Sequence, residues 1–321
     1  MANTKWKDYL LKSGVPLEFE IKKLLDELGC QTRFDQSYLR NDRNQISTEF
    51  SYDIDSSYIK DLFFFKLLIE CKYRDPSTNW LFVPDNEQSG KTKSYDSFLH
   101  PIDFFTLENK FYLDYYLMPY FSPSCEKGIE ITSDRQNPKS ITQAANQLSY
   151  GLVHEIIESM IVNYESDDGL EDQLCFHIPI IVTTANLYVA KKDLTIDSLK
   201  KSEKIEQIAK KENSLVLKYN IGKELEQYNF EQLKRFTKRY SIKDLKKRFN
   251  CQYDDLDLTI RYLSKHACPR SILVMHYDQF NNSFTELFEL FNLITSPNKS
   301  ILRLVRDKDL KKELKNKYGI Q

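Results

Sequence analysis

The sequence predicts a mixed α/β domain, a central mixed sheet flanked by helices with a basic, mostly helical insertion. Three observations lead there. Short apolar runs at Phe63-Phe64-Phe65-Lys66-Leu67-Leu68-Ile69, Phe176-His177-Ile178-Pro179-Ile180-Ile181-Val182 and Ser271-Ile272-Leu273-Val274-Met275 have the length and bounds of buried strands. Stripes of helical period stand between them, the clearest being Leu17, Ile21, Leu24, Leu25 and Leu28. Paired basic residues recur from Lys200-Lys201 through Lys246-Lys247-Arg248. The chain of 321 residues divides on this reading into 1–190, the first part of the core, 191–265, the basic helical insertion, and 266–321, a last strand and C-terminal helices returning to the core.

The first helix is bounded by Pro16, which suits a first turn, and Gly29, which suits an end. Glu18 lies on the margin of its apolar stripe and can look inward, while Glu20 flanks the other margin. Either glutamate equally suits a first-turn residue complementing the helix dipole. Glu49-Phe50-Ser51-Tyr52-Asp53-Ile54-Asp55 alternates as a strand with both aspartates on one face. The polar stretch Ser56 to Asp61 reads as a connection, making a hairpin with the run that starts at Phe63.

That run ends in Glu70-Cys71-Lys72. Residues two apart on a strand share a face, so Glu70 and Lys72 point the same way. Two opposite charges closing a buried strand are costly to desolvate, although an ion pair at a sheet edge is a common explanation.

Downstream, residues 74–140 read as irregular, with one strand at Trp80 to Val83 and a dense aromatic segment from Tyr112 to Phe121, read first as core. A helix begins near Ile141 and continues to Val162, with Gln143 and Gln147 one turn apart on one face. In the strand from Phe176, Pro179 points to a sheet edge or a bulge. The strand at 271–277 precedes a helix through Phe284, Leu287, Leu290 and Leu293.

The formal net charge is −1, but residues 191–321 carry 28 Lys and Arg against 18 Asp and Glu. They are net +10 and residues 1–190 net −11. An acidic, metal-competent half joined to a basic half suits a nucleic-acid enzyme, and Lys/Glu-rich solvated helix faces account for it equally well. The six cysteines form no Cys-x-x-Cys, which argues against a zinc knuckle and for a reducing cytoplasm. No apolar run is long enough to span a bilayer and the start has no signal-peptide pattern, so a membrane partner is not expected.

Taken together, the helix glutamate Glu18, a hairpin aspartate, Glu70-x-Lys72 and the helix carrying Gln143 and Gln147 resemble the restriction-endonuclease-like, or PD-(D/E)XK, nuclease superfamily. The likeness covers Pro16 to Lys72 and departs from the name pattern in having no proline before the aspartate. It implies a restriction-endonuclease-like fold and a metal-dependent nuclease, DNA being the favoured substrate and restriction or defence a role the family suggests. Asp55 and Glu70 are then the principal ligands of Mg²⁺, with Mn²⁺ as a substitute, and Asp53 in reserve. Glu18 serves a second metal directly or through water, Lys72 stabilises charge at the scissile phosphate, and Gln143 and Gln147 orient water or backbone. A catalytically silent nucleic-acid-binding or assembly subunit with the same fold is the alternative. A homo-oligomer or partner protein stays open.

Other motifs carry less. Ser89-Gly90-Lys91-Thr92 lacks the leading glycine of a P-loop, Asp85 standing in its place. His266 and Cys268 have no second ligand pair, and Asp254-Asp255-Leu256-Asp257 reads as a helix start.

Overall fold

The computed structural model describes residues 5–41, 47–61, 63–85, 98–101, 105, 123–132, 136–137, 140–165, 174–249 and 253–295. The chain opens with helices α1 (Lys5–Lys12) and α2 (Val15–Glu27). Strands β1 (Gln31–Asn41), β2 (Ser47–Lys60), β3 (Phe63–Lys72), β4 (Asn79–Pro84), β5 (His100–Pro101), β6 (Ser124–Ile131) and β7 (Gln136–Asn137) follow. Next come helix α3 (Ser140–Glu165), strands β8 (Leu174–Thr183) and β9 (Asn186–Ala190), α4 (Ile196–Lys201), and strands β10 (Ala209–Glu212) and β11 (Ser214–Lys218). Helices α5 (Lys223–Thr237), α6 (Ile242–Arg248) and α7 (Leu256–His266), strand β12 (Ser271–His276) and helix α8 (Phe280–Thr295) complete the described chain.

One mixed sheet runs β1-β2-β3-β8-β12-β11-β6-β4-β9-β10, with β5 paired to β8 and β7 to β6. Strands β1, β2 and β3 form an antiparallel meander, whereas β8 lies parallel to both β3 and β12. Helices α3, α5 and α7 cover one face through Leu148, Leu152, Ile156, Phe236 and Leu263. Helices α2 and α8 cover the other, meeting Phe65, Ile69, Phe176 and Ile180 with Ile21, Leu25, Phe284 and Phe291. Alternating residues of β3 divide between these faces, as the pleat requires: Phe63, Phe65, Leu67 and Ile69 go to α2 and α8, and Leu68 to α3. The protein is therefore a mixed α/β fold with helices on both faces of its sheet. Among the described residues no helix is long and apolar enough to cross a membrane.

The structure departs from the sequence reading in several places. Ser56 to Lys60 is strand, not connection; the ladder runs on to Lys60 opposite Phe63, and Asp61 follows at φ 53°. The polar stretch is accommodated because Ser56 Oγ bonds Thr32 Oγ1 at 2.9 Å and Tyr58 packs on Phe288 and Phe291. Pro179 lies in an interior strand opposite Leu68. On its other side β5 stops at His177 and β12 begins at Ile180, so the proline falls where that neighbour changes.

The expected helical insertion at 191–265 is interrupted by two strands. Strand β11 runs through the middle of the sheet between β12 and β6, and β10 forms its edge. Helices α5 and α7 pack on the face that α3 covers, and α5 donates Leu225, Tyr228, Phe230 and Leu233 to the same core. The paired basic residues of α5 and of the turn after it are partly engaged: Arg235 meets Glu158 at 2.6 Å and Arg239, just beyond the helix, meets Glu165 at 3.5 Å, both glutamates on α3. The aromatic segment Tyr112 to Phe121, the Ser89-Gly90-Lys91-Thr92 motif and residues 296–321 lie outside the described residues. Asp255 caps α7 by accepting from the amides of Asp257 and Leu258, the helix start its sequence suggests.

Candidate active site

The site forms where β2 and β3 part. Their ladder ends at Ile54 opposite Ile69. The next amide on that side, Cys71 N–H, donates to the Asp53 carboxylate at 2.6 Å instead of to a strand carbonyl. Asp53 thus stands beside the strand end that carries Glu70 and Lys72. Lys72 Nζ forms a short ion pair with Glu70 Oε1. Glu70 is fully buried, and its Oε2 accepts no hydrogen bond among the described residues. An unpartnered buried carboxylate oxygen is costly.

Helix α2 brings Glu18 to the same place. Gly14, at φ 84°, lets the chain turn from α1 into α2, and a Cβ there would stand 3.1 Å from Glu18 Oε1. Glu18 is half-buried, whereas Glu20 points to solvent. Burial first, then the charges of Asp53 and Asp35, push the Glu18 carboxyl up to about 7 against the opposing pull of Lys72. Burial and Asp53 likewise raise Glu70 to about 8, Lys72 opposing and Glu18 adding to the rise. Asp53 is raised by burial, moderated by the Cys71 amide and Lys72. Three carboxylates in mutual repulsion with one ammonium describe the electrostatics.

Asp55 is placed elsewhere, although it is two residues from Asp53. The alternation of β2 slips between Tyr52, which packs under α3, and Ile54, which packs under α2. Across the ladder Asp35 of β1 adopts φ 53°, and the same slip separates Phe34 from Gln36. Asp55 therefore points under α3, where Lys66 Nζ meets it at 2.8 Å and Tyr52 Oη donates to it at 3.0 Å. Lys66 also meets Glu155 of α3 at 3.2 Å, so Asp55 belongs to a buried ion network. Asp55, expected with Glu70 as a principal metal ligand, thus has Lys66 and Tyr52 as partners, and the aspartate whose charge acts on Glu70 is Asp53, the one expected in reserve.

The two glutamines also divide. Gln147 Nε2 donates to Ser51 O at 3.3 Å, and the Gln147 backbone carbonyl accepts from Tyr38 Oη at 2.8 Å, bracing α3 against β1 and β2. Gln143, one turn earlier, is exposed.

Several supporting residues were not singled out from sequence. Thr183 Oγ1 donates to Lys72 O at 2.9 Å, and Thr184 Oγ1 bonds the Arg74 backbone at both N and O at 2.6 Å, so the end of β8 pins the strand end bearing Lys72. Arg74 Nε meets Glu130 at 2.7 Å and its guanidinium also reaches Ser140, the first residue of α3. Trp80 Nε1 shares Glu130 at 2.9 Å. The signal for Arg74 was its position directly beyond Glu70-x-Lys72. Asp35 gave none, since its effect depends on a left-handed backbone at one residue.

The donors here are oxygen atoms of Asp53, Glu70 and Glu18, which suit a hard cation such as Mg²⁺ and not a thiolate-seeking metal. The unpartnered Glu70 Oε2 fits such a cation, as does the charge of Asp53, which adds to burial in raising both Glu18 and Glu70. Among the described residues no three His, Cys, Asp or Glu side chains stand together as a ready metal cage. Compared with models of protein families, with curated proteins and with solved structures, the chain matches none, so the case for its chemistry rests on this geometry.

Proposed function

We propose that this protein is a metal-dependent phosphodiesterase of the PD-(D/E)XK type, a nuclease acting on nucleic acid with DNA favoured. The observation that carries the reading is the convergence of Asp53, Glu70 and Lys72 where β2 and β3 part, with Glu18 joining from α2 and Glu70 Oε2 buried without a partner. Restriction-endonuclease-like topology is part of the same proposal. It is supported by an antiparallel β1-β2-β3 meander that continues into the parallel neighbours β8 and β12, with helices on both faces.

Asp53 and Glu70 would hold Mg²⁺, and Mn²⁺ in its place, with Glu18 reaching it through water. The cation, when bound, supplies Lewis acidity toward a phosphoryl oxygen and an acidified water. The protein's own residues do the rest. Glu70 gives up its ion pair with Lys72, and the freed ammonium meets the charge that builds on the phosphate. Glu18, near neutrality, can take or release a proton on its carboxylate at physiological pH. Thr183 and Thr184 keep the strand end, and so the Lys72 ammonium, in place through the Lys72 and Arg74 backbone.

The test is incubation of purified protein with plasmid and with labelled oligonucleotides, in Mg²⁺ and in EDTA. Cleavage that needs the metal and disappears in Glu70→Gln supports the reading. A second reading, a catalytically silent nucleic-acid-binding or assembly subunit, is favoured by the Lys72 ammonium resting on Glu70. Binding without metal-dependent cleavage selects it.

A further inference from the structure

Helix α1 is the least explained element of the fold. It rests on α2 and buries none of its own residues. Trp6 is 59 % exposed and Tyr9 72 % exposed, a costly way to leave two large rings in water. The helix is also basic, with Lys5, Lys7 and Lys12 against the single acid Asp8. Tyr9 stands one turn from both Lys5 and Lys12, and Lys7 Nζ lies 5.7 Å from the Trp6 ring centroid. Exposed rings interleaved with ammonium groups match the faces and phosphates of unpaired nucleotides; a purely apolar partner would leave the lysines unmatched.

Its position is the second observation. Gly14, where α1 meets α2, lies against the Glu18 carboxylate. Lys12, two residues before Gly14, also adds its charge at Asp75, three residues beyond Lys72, whose carboxyl is held low chiefly by the Ser77 hydroxyl and amide. The C-terminal end of α1 thus adjoins the acidic cluster, and the helix leads away from it.

We propose that α1 is the landing surface for a single nucleic-acid strand, its bases stacked on Trp6 and Tyr9 and its phosphates met by Lys7 and Lys12, which leads that strand into the carboxylate site. The inference rests on the nuclease reading and gives it a substrate class, single-stranded or frayed nucleic acid, since bases within a duplex offer no free face.

Trp6 makes the test direct. The chain has two tryptophans, and Trp80 is fully buried, so a collisional quencher such as acrylamide reads Trp6. Full-length protein in EDTA is titrated with oligo-dT, which has little structure of its own. Trp6 should become several-fold less quenchable as the strand saturates. Trp6→Ala with Tyr9→Ala should weaken strand binding roughly tenfold or more, by anisotropy, with unchanged circular dichroism. Lys7→Glu with Lys12→Glu should reduce the slope of log affinity against log salt by about 1.4. Strand binding that leaves Trp6 equally quenchable overturns the inference. So does protection by blunt duplex but not by oligo-dT. Protection that grows with protein concentration alone also overturns it, assigning the face to a second copy. These outcomes are independent of cleavage: metal- and Glu70-dependent cleavage with Trp6 unprotected sinks only the α1 role. Protection of Trp6 without any such cleavage sinks only the nuclease reading.

Discussion

The Asp53 carboxylate accepts the Cys71 amide at 2.6 Å and so locks itself to the strand end that carries Glu70 and Lys72. Asp55, two residues away, is bound instead to Lys66 under α3. The two aspartates therefore predict different phenotypes. Asp53→Ala should lose divalent-metal binding and cleavage. Asp55→Ala should chiefly lose stability, by about 1–3 kcal/mol, because Lys66 keeps Glu155 but Tyr52 and half of the ion network lose their acceptor. Urea denaturation beside a metal titration separates them, and metal loss in Asp55→Ala with Asp53→Ala unaffected would reverse the assignment.

The raised carboxyls give a pH signature in metal-free protein. Glu70 and Glu18 bind protons more tightly folded than unfolded, with folded values of about 8 and about 7. Their contribution to stability is complete below the ordinary glutamate range and is lost as pH rises through 7 and 8. The melting temperature in EDTA should therefore fall between pH 6 and pH 9, and Glu70→Gln should flatten that fall. Divalent cations should bind more tightly over the same rise, as protons leave the ligands.

Lys72 is the cation that Glu70 has in this structure. Lys72→Met should reduce cleavage by about 10²–10³-fold, the order seen when a single charge-stabilising donor is lost. Calorimetry should show metal affinity retained or increased, since a competitor for Glu70 is gone. Weakened metal binding in this variant would mean the ammonium supports the site in another way.

Arg235 of α5 and Arg239 just beyond it should matter less for nucleic acid than a count of basic residues suggests. Arg235 and Arg239 pair with Glu158 and Glu165 on α3. Reversing both to glutamate should cost about 1 kcal/mol of stability or less per pair, as exposed ion pairs do. Its effect on the salt dependence of binding should be smaller than that of reversing Lys7 and Lys12. A larger effect would place the strand across α5.

Local signals made much of the frame legible in the sequence. Pro16 and Gly29 bracket α2, the apolar run predicts β3, and the stripe from Ile141 predicts α3. Glu18, Glu70 and Lys72 could be named because each sits at a fixed offset from such an element. What could not be read depends on partners distant in sequence. The slip that separates Asp53 from Asp55 needs Asp35 in a left-handed conformation across the ladder, which no pattern within β2 reveals. Strand β10, Ala209-Lys210-Lys211-Glu212, is four residues long and looks like surface helix, because an edge strand can carry lysines that an interior one could not. Pro179 looks misplaced in an interior strand until the break between β5 and β12 beside it is known.

Where a divalent cation binds decides whether Asp53 and Glu70 form a metal site. Anomalous diffraction from a crystal of the full chain soaked in Mn²⁺ tests this most directly. The predicted result is a peak about 2.0–2.3 Å from carboxylate oxygens of both Asp53 and Glu70, with the Lys72 ammonium moved off Glu70. No peak at these residues under saturating Mn²⁺, or a peak on Asp55 and Glu155 with Lys72 still on Glu70, would contradict it.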